Sequence, residues 1–183
     1  MLNFSTFLLI PRVASGNGSY GEDLTIKVFR NTFWIMSVGA LGLMFLSNLL
    51  VSLLYGNAFL PTVAPMKVLL PGIVMMGSGG CLSQYFIATG HVTETNYVFG
   101  SSVFLNIFLN ILMIPKFGIV GAAIATTITY TASTLVLGFI FVKGTNTKLK
   151  DLVLLKKSDF AKYRELFFNV CQDIRGRVIP AKP

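Results

Sequence analysis

In a chain of 183 residues, 54% hydrophobic and 12% charged side chains exclude a water-soluble domain, which carries about 25% charged residues. The formal net charge of +8 marks no nucleic-acid surface, because thirteen of the fifteen Lys and Arg sit in two flanking blocks, Arg12 to Arg30 and Lys143 to Lys182. Between the blocks only Lys67, Glu94 and Lys116 are charged, leaving uncharged runs of 36, 26, 21 and 26 residues, each enough for a helical span of about 20 residues.

Met1 to Pro11 reads as a partial N-terminal helix, apolar, ended by proline and too short to cross a bilayer. No basic residue precedes it, so the n-region of a signal peptide is missing. Arg12 to Asn31 reads as a polar connector, with Gly16-Asn17-Gly18-Ser19 as a turn and Thr25 to Asn31 leading into the next helix. The first full span is 32–55, stopped by Gly56-Asn57. The second, 65–90, is the least regular, since it holds Pro71, Gly72, Gly77, Gly79 and Gly80. Proline removes an amide donor and glycine weakens the helix, so these five residues are a candidate hinge, with close helix packing as the other reading. The third span is 97–115, the fourth 118–142, and Pro115-Lys116-Phe117-Gly118 is the tight turn between them.

Residues 1–144 thus form a transmembrane bundle, and 145–183 a basic tail. In the tail Phe160, Tyr163, Phe167, Val170, Cys171 and Ile174 recur at helical spacing behind Ser158-Asp159, the pattern of an amphipathic helix on an anionic leaflet. The fold class expected is an all-α membrane protein with four transmembrane helices, the partial N-terminal helix and this basic C-terminal helix. Basic residues concentrate on the cytoplasmic side of membrane proteins, so both ends are expected there. Asn57 and Lys116 then lie outside and His91 to Asn96 inside.

No catalytic constellation stands out, and neither an enzyme nor a cofactor is expected. His91 is the only histidine, Cys81 and Cys171 make no metal-binding pair, and the seven acids lie in connectors or tails. Ser78 and Ser83 have no acid or base partner in their run, and no Lys follows Gly77, Gly79 and Gly80 as a phosphate loop requires. What lipid should exclude is polar: Asn48, Gln84, Asn106, Asn110, Thr126, Thr127, Thr129 and Tyr130. Asn106 and Asn110, four apart, share a helical face. Either they bond a neighbouring helix, or they line a substrate path. Gly118, Gly121, Ala122 and Ala125 have the small-residue spacing of close helix approach. Lys67 stands just inside its helix, where it either snorkels to headgroups or meets an anionic substrate.

Four segments resemble a known family. LLIPRVAS near the start, LLYGNAFLPTVAPMKVLLPGI from Leu53 to Ile73, NIFLNILMIPKFGIVGAAIATTITY from Asn106 to Tyr130 and KLKDLVLLKKSDF from Lys148 to Phe160 are similar to the second half of Wzx-type polysaccharide and O-antigen flippases. The resemblance implies the MATE-like fold of multidrug, oligosaccharidyl-lipid and polysaccharide exporters, of which this chain matches part of the C-terminal bundle. It implies a multi-pass protein of the bacterial cytoplasmic (inner) membrane that moves an undecaprenyl-diphosphate-linked oligosaccharide outward for O-antigen or lipopolysaccharide synthesis. The implied partners are that lipid-linked oligosaccharide, membrane lipids, and an N-terminal bundle or polysaccharide assembly proteins. The substrate path expected here is Lys67, Gln84, Asn106, Asn110 and Tyr130, with no metal. A multidrug or cation exporter of the same fold, and a small non-transporting assembly protein, are the alternatives.

Overall fold

In a computed structural model of the chain, the structure describes residues 18–145 and 147, all within the compact unit Met1–Val153. The partial helix at Met1 to Pro11 and the amphipathic helix of the tail lie outside the described residues. The described residues are nearly all helical and contain no strand: α1 is Gly18–Tyr55, a 3-10 turn covers Asn57–Thr62, α2 is Val63–Ala88 and α3 is Val92–Thr145. All three α-helices are long and apolar enough to cross a membrane.

α3 is two arms rather than one rod. A straight helix would place Asn106 and Thr129 about 35 Å apart, at about 1.5 Å per residue. Their side chains meet at 3.3 Å. The break is Gly118, at φ 57 and ψ −136, a backbone conformation open essentially only to glycine. Close to it, a Cβ on Gly121 would run into the Met113 carbonyl and lie 3.0 Å from the Ile114 nitrogen. The arms 92–117 and 119–145 therefore fold back as a tight antiparallel pair. The other joints are glycines as well. Gly56 (φ 85) ends α1, donating its N–H to the Ser52 carbonyl at 3.1 Å. Gly90 (φ 83) ends α2 while the His91 N–H reaches back to the Phe86 carbonyl at 2.8 Å, a Schellman arrangement.

One sequence expectation needs correction. Residues 18–24, expected in the polar connector, already form the first turns of α1, and 25–31, expected to lead into the helix, continue it. Their charges mislead, because Thr25, Ile26 and Phe29 form a buried stripe while Asp23 and Lys27 point outward. That periodicity is the mark of an amphipathic helix. The connector placed at His91 to Asn96 also shrinks, since α3 begins at Val92.

α2 is the central helix and packs on both α1 and α3. Against α1 it runs antiparallel: Met36 lies over Gly77, and Cys81 Sγ is 3.7 Å from Thr32 Oγ1. Against the second arm it runs parallel, because Thr127 Oγ1 donates to the Val68 carbonyl at 2.7 Å and Thr134 Oγ1 to the Met75 carbonyl at 2.9 Å, both across 59 residues. Between these bonds α2 stays helical through Pro71 and its glycines. The best-packed region joins Ile26 and Phe29 of α1, Cys81, Leu82 and Phe86 of α2, and Val98, Leu137 and Phe141 of α3. The edge of the Tyr85 ring against Phe141, centroids 4.9 Å apart, extends it.

Away from that core the surface is lipid-like. Phe45 is 82% and Ile119 78% exposed, an arrangement costly in water and suited to acyl chains. Many hydroxyls within the helices bond a carbonyl of the preceding turn, as Ser37 does on the Phe33 carbonyl at 2.7 Å and Thr126 on the Ala122 carbonyl at 2.9 Å.

Candidate functional site

Above the core, α1, α2 and both arms of α3 enclose a partly open cavity of about 990 Å³. It reaches the upper end of the volume range of small-molecule sites, about 300–1,000 Å³. The core forms its floor, since Cys81 and Leu137 belong to both. Because α2 is central, its face toward the first arm contributes most of one wall, including Gly80, Ser83 and Gln84.

The polar feature of the opposite wall is a directional chain of hydrogen bonds. Asn110 Nδ2 donates to Asn106 Oδ1 at 2.8 Å, Asn106 Nδ2 donates to Thr129 Oγ1 at 3.3 Å, and Thr129 Oγ1 donates to the Ala125 carbonyl at 2.8 Å. Asn106 and Thr129 line the cavity, and Asn110 stands one turn beyond and orients Asn106. Asn106 thus ties the arms of α3 and also faces the cavity. Gln84 of α2 also lines the cavity, and its Oε1 is buried with no hydrogen-bond partner among the described residues. Tyr130 lies on the same wall as Thr129.

Lys67 is the one expected path residue that the fold keeps away from this chain of amides. It is half-buried near the start of α2, six residues before Ile73, which is the nearest cavity-lining residue of that helix and about 9 Å along the axis. The five glycine and proline positions part company too. A Cβ on Gly72 would lie 2.8 Å from the Thr127 Cα, and one on Gly79 would lie 2.5 Å from Thr134 Oγ1. Both permit the close approach of α2 to the second arm. Gly77 makes room for Met36, whereas Gly80 has nothing within 4 Å of its missing Cβ and opens into the cavity. Pro71 is exposed and lines nothing.

Sequence reading missed Ser102, Ser133 and Thr134 as wall residues. A signal for two of them was present, because Thr126, Thr129, Tyr130, Ser133, Thr134 and Leu137 follow the i, i+3, i+4, i+7 pattern of one helical face. Elsewhere, His91 Nδ1 and Glu94 Oε1 meet at 3.0 Å at the exposed start of α3. Among the described residues no three His, Cys, Asp or Glu come together to hold a metal ion. The cavity offers amides, hydroxyls and aromatic rings, a set suited to noncovalent recognition.

A family model described as lipid II flippase MurJ matches residues 4–162. No curated protein and no solved structure matches the chain. The similarity to polysaccharide flippases thus holds at the level of carriers of lipid-linked precursors, and the match covers most of the chain. A membrane-spanning helical chain with amides and hydroxyls set into the wall of a largely apolar cavity, it belongs to the lipid II flippase MurJ family.

Proposed function

We propose that these helices wall part of the path by which an undecaprenyl-diphosphate-linked saccharide crosses the bacterial cytoplasmic membrane by alternating access. The observation that supports this is the cavity itself: a row of amides and hydroxyls enclosed by helices whose outer faces suit lipid. Such residues within a membrane mark pathways for polar cargo. An uncharged wall gives an organic cation no counter-ion, which favours a lipid-linked saccharide over the multidrug alternative. The peptidoglycan precursor named in the family description is the first substrate we assign. An O-antigen-type glycan on the same carrier is the second, supported by the similarity of Asn106 to Tyr130 to polysaccharide flippases. The partners in this proposal are the lipid-linked saccharide, the surrounding lipid and a further helical bundle that completes the path.

Photocapture tests it. A benzophenone amino acid in place of Phe99, on the cavity wall, should capture the lipid-linked saccharide in bacterial membranes, and the mass of the adduct identifies the glycan. The same group in place of Phe45, on the lipid face, should capture bulk lipid instead. Equal capture of the saccharide at both positions refutes the path.

A further inference from the structure

The cargo proposed above has a doubly anionic diphosphate and uncharged, hydroxyl-rich sugar rings, and the residues that line the cavity suit only the second of these. Among the described residues that line it there is no Lys, Arg, His, Asp or Glu. An unpaired charge in a low-dielectric site costs several kcal/mol even after relaxation. A diphosphate therefore gains nothing here that it does not have at the membrane surface.

A saccharide finds several complementary groups. Gln84 Oε1 is a buried acceptor that lacks a donor, and buried polar atoms left so are exceptions that call for a ligand, a water or an ion. Asn106 Nδ2 spends one of its two hydrogens on Thr129 and keeps the other. Ser102 and Ser133 donate to the carbonyls of Val98 and Thr129, at 2.7 and 3.0 Å, and keep their oxygens as acceptors. Phe99 and Tyr130 supply flat apolar surfaces beside these groups, matching the C–H face of a pyranose ring.

The geometry points to a subsite for the sugar rings of the cargo, their hydroxyl or N-acetyl groups read by Gln84 and Asn106, with the charged groups held elsewhere on the path. The inference rests on the transport path proposed above and adds which part of the cargo sits here. It makes Gln84 and Asn106 specificity residues, which distinguish glycans carried on the same lipid.

Thiol protection separates the two claims. In a cysteine-free background (Cys81→Ala, Cys171→Ser), Ser102→Cys introduces a thiol on the half-buried wall, and its rate of modification by a small methanethiosulfonate reagent is measured on the full chain in nanodiscs. Undecaprenyl diphosphate carrying an N-acetylhexosamine disaccharide should slow that rate, and undecaprenyl diphosphate without sugar should not. Gln84→Ala and Asn106→Ala should each raise the concentration needed for protection about tenfold, the value of one good hydrogen bond. Their unliganded rates and helical circular dichroism should match the background, which separates lost binding from lost fold. Equal protection by both lipids overturns the saccharide subsite while leaving the path intact. Protection by neither lipid overturns both.

Discussion

The contact between Gly72 and Thr127 offers the sharpest test of what the glycines of α2 do. A methyl on Gly72 would lie 2.8 Å from the Thr127 Cα and 3.0 Å from its Oγ1, and backbone cannot swing aside as a side-chain tip can. Restoring an ordinary contact of about 3.5–4.0 Å moves the helices apart by roughly 1 Å. That shift stretches the 2.7 Å bond from Thr127 to the Val68 carbonyl beyond hydrogen-bonding range. The lost bond costs about 0.6 kcal/mol and the overpacking about 1–3 kcal/mol, while exchanging glycine for alanine within a helix returns up to about 1 kcal/mol. Gly72→Ala should therefore destabilise the bundle by about 1–2 kcal/mol. Gly80→Ala should stabilise it by up to about 1 kcal/mol, because nothing stands within 4 Å of its Cβ. Unfolding in mixed micelles by rising dodecyl sulfate, followed by circular dichroism, measures both. If the glycines served only to let α2 bend, both variants would be stiffer and neither less stable. Gly72→Ala as stable as Gly80→Ala would refute the close-packing account.

At Gly118 any other residue must adopt φ 57 and ψ −136, so Gly118→Ala should cost about 1–3 kcal/mol in the same titration, and wild-type stability would mean the hairpin turns elsewhere. The orientation expected from the basic flanks is read by reporter fusions at Asn57, Thr93 and Thr145, which should report outside, inside and inside; an outside signal at Thr145 overturns it.

How much of this was legible in the sequence varied with the physics behind each feature. Long uncharged runs were enough to read the helices, because a bilayer imposes length and apolarity on each segment independently of its neighbours. The turn at Pro115 to Gly118 was legible for a similar local reason, glycine's access to positive φ. The start of α1 was not. The reading let the helix begin only at Thr25, and only packing shows that it starts further back and that Ile26 and Phe29 face a core. Gln84, Asn106 and Tyr130 stood out as polar residues in apolar runs, and the fold gathers them at one cavity. Lys67 stood out by the same test, yet which depth and face of α2 meet the cavity depends on where α1 and α3 dock. Nothing local encodes that. The parallel register of α2 and the second arm, which gives Gly72 and Gly79 their roles, is likewise a property of the pair.

That register has a mechanical side. The hydroxyls of Thr127 and Thr134 grip carbonyls of Val68 and Met75 seven positions apart on each helix, so a slip of a single residue empties both grips together. Carbonyls return to the same face of a helix about once per turn, so the next alignment that offers both hydroxyls an acceptor lies roughly 5.4 Å along the axis. The two helices therefore behave like a toothed rack held at one notch, able to rotate or tilt as a pair but unable to creep past one another. Since the grips straddle Pro71, a flexure of α2 there would carry the second arm along, and with it the arm 92–117 that packs tightly on that arm.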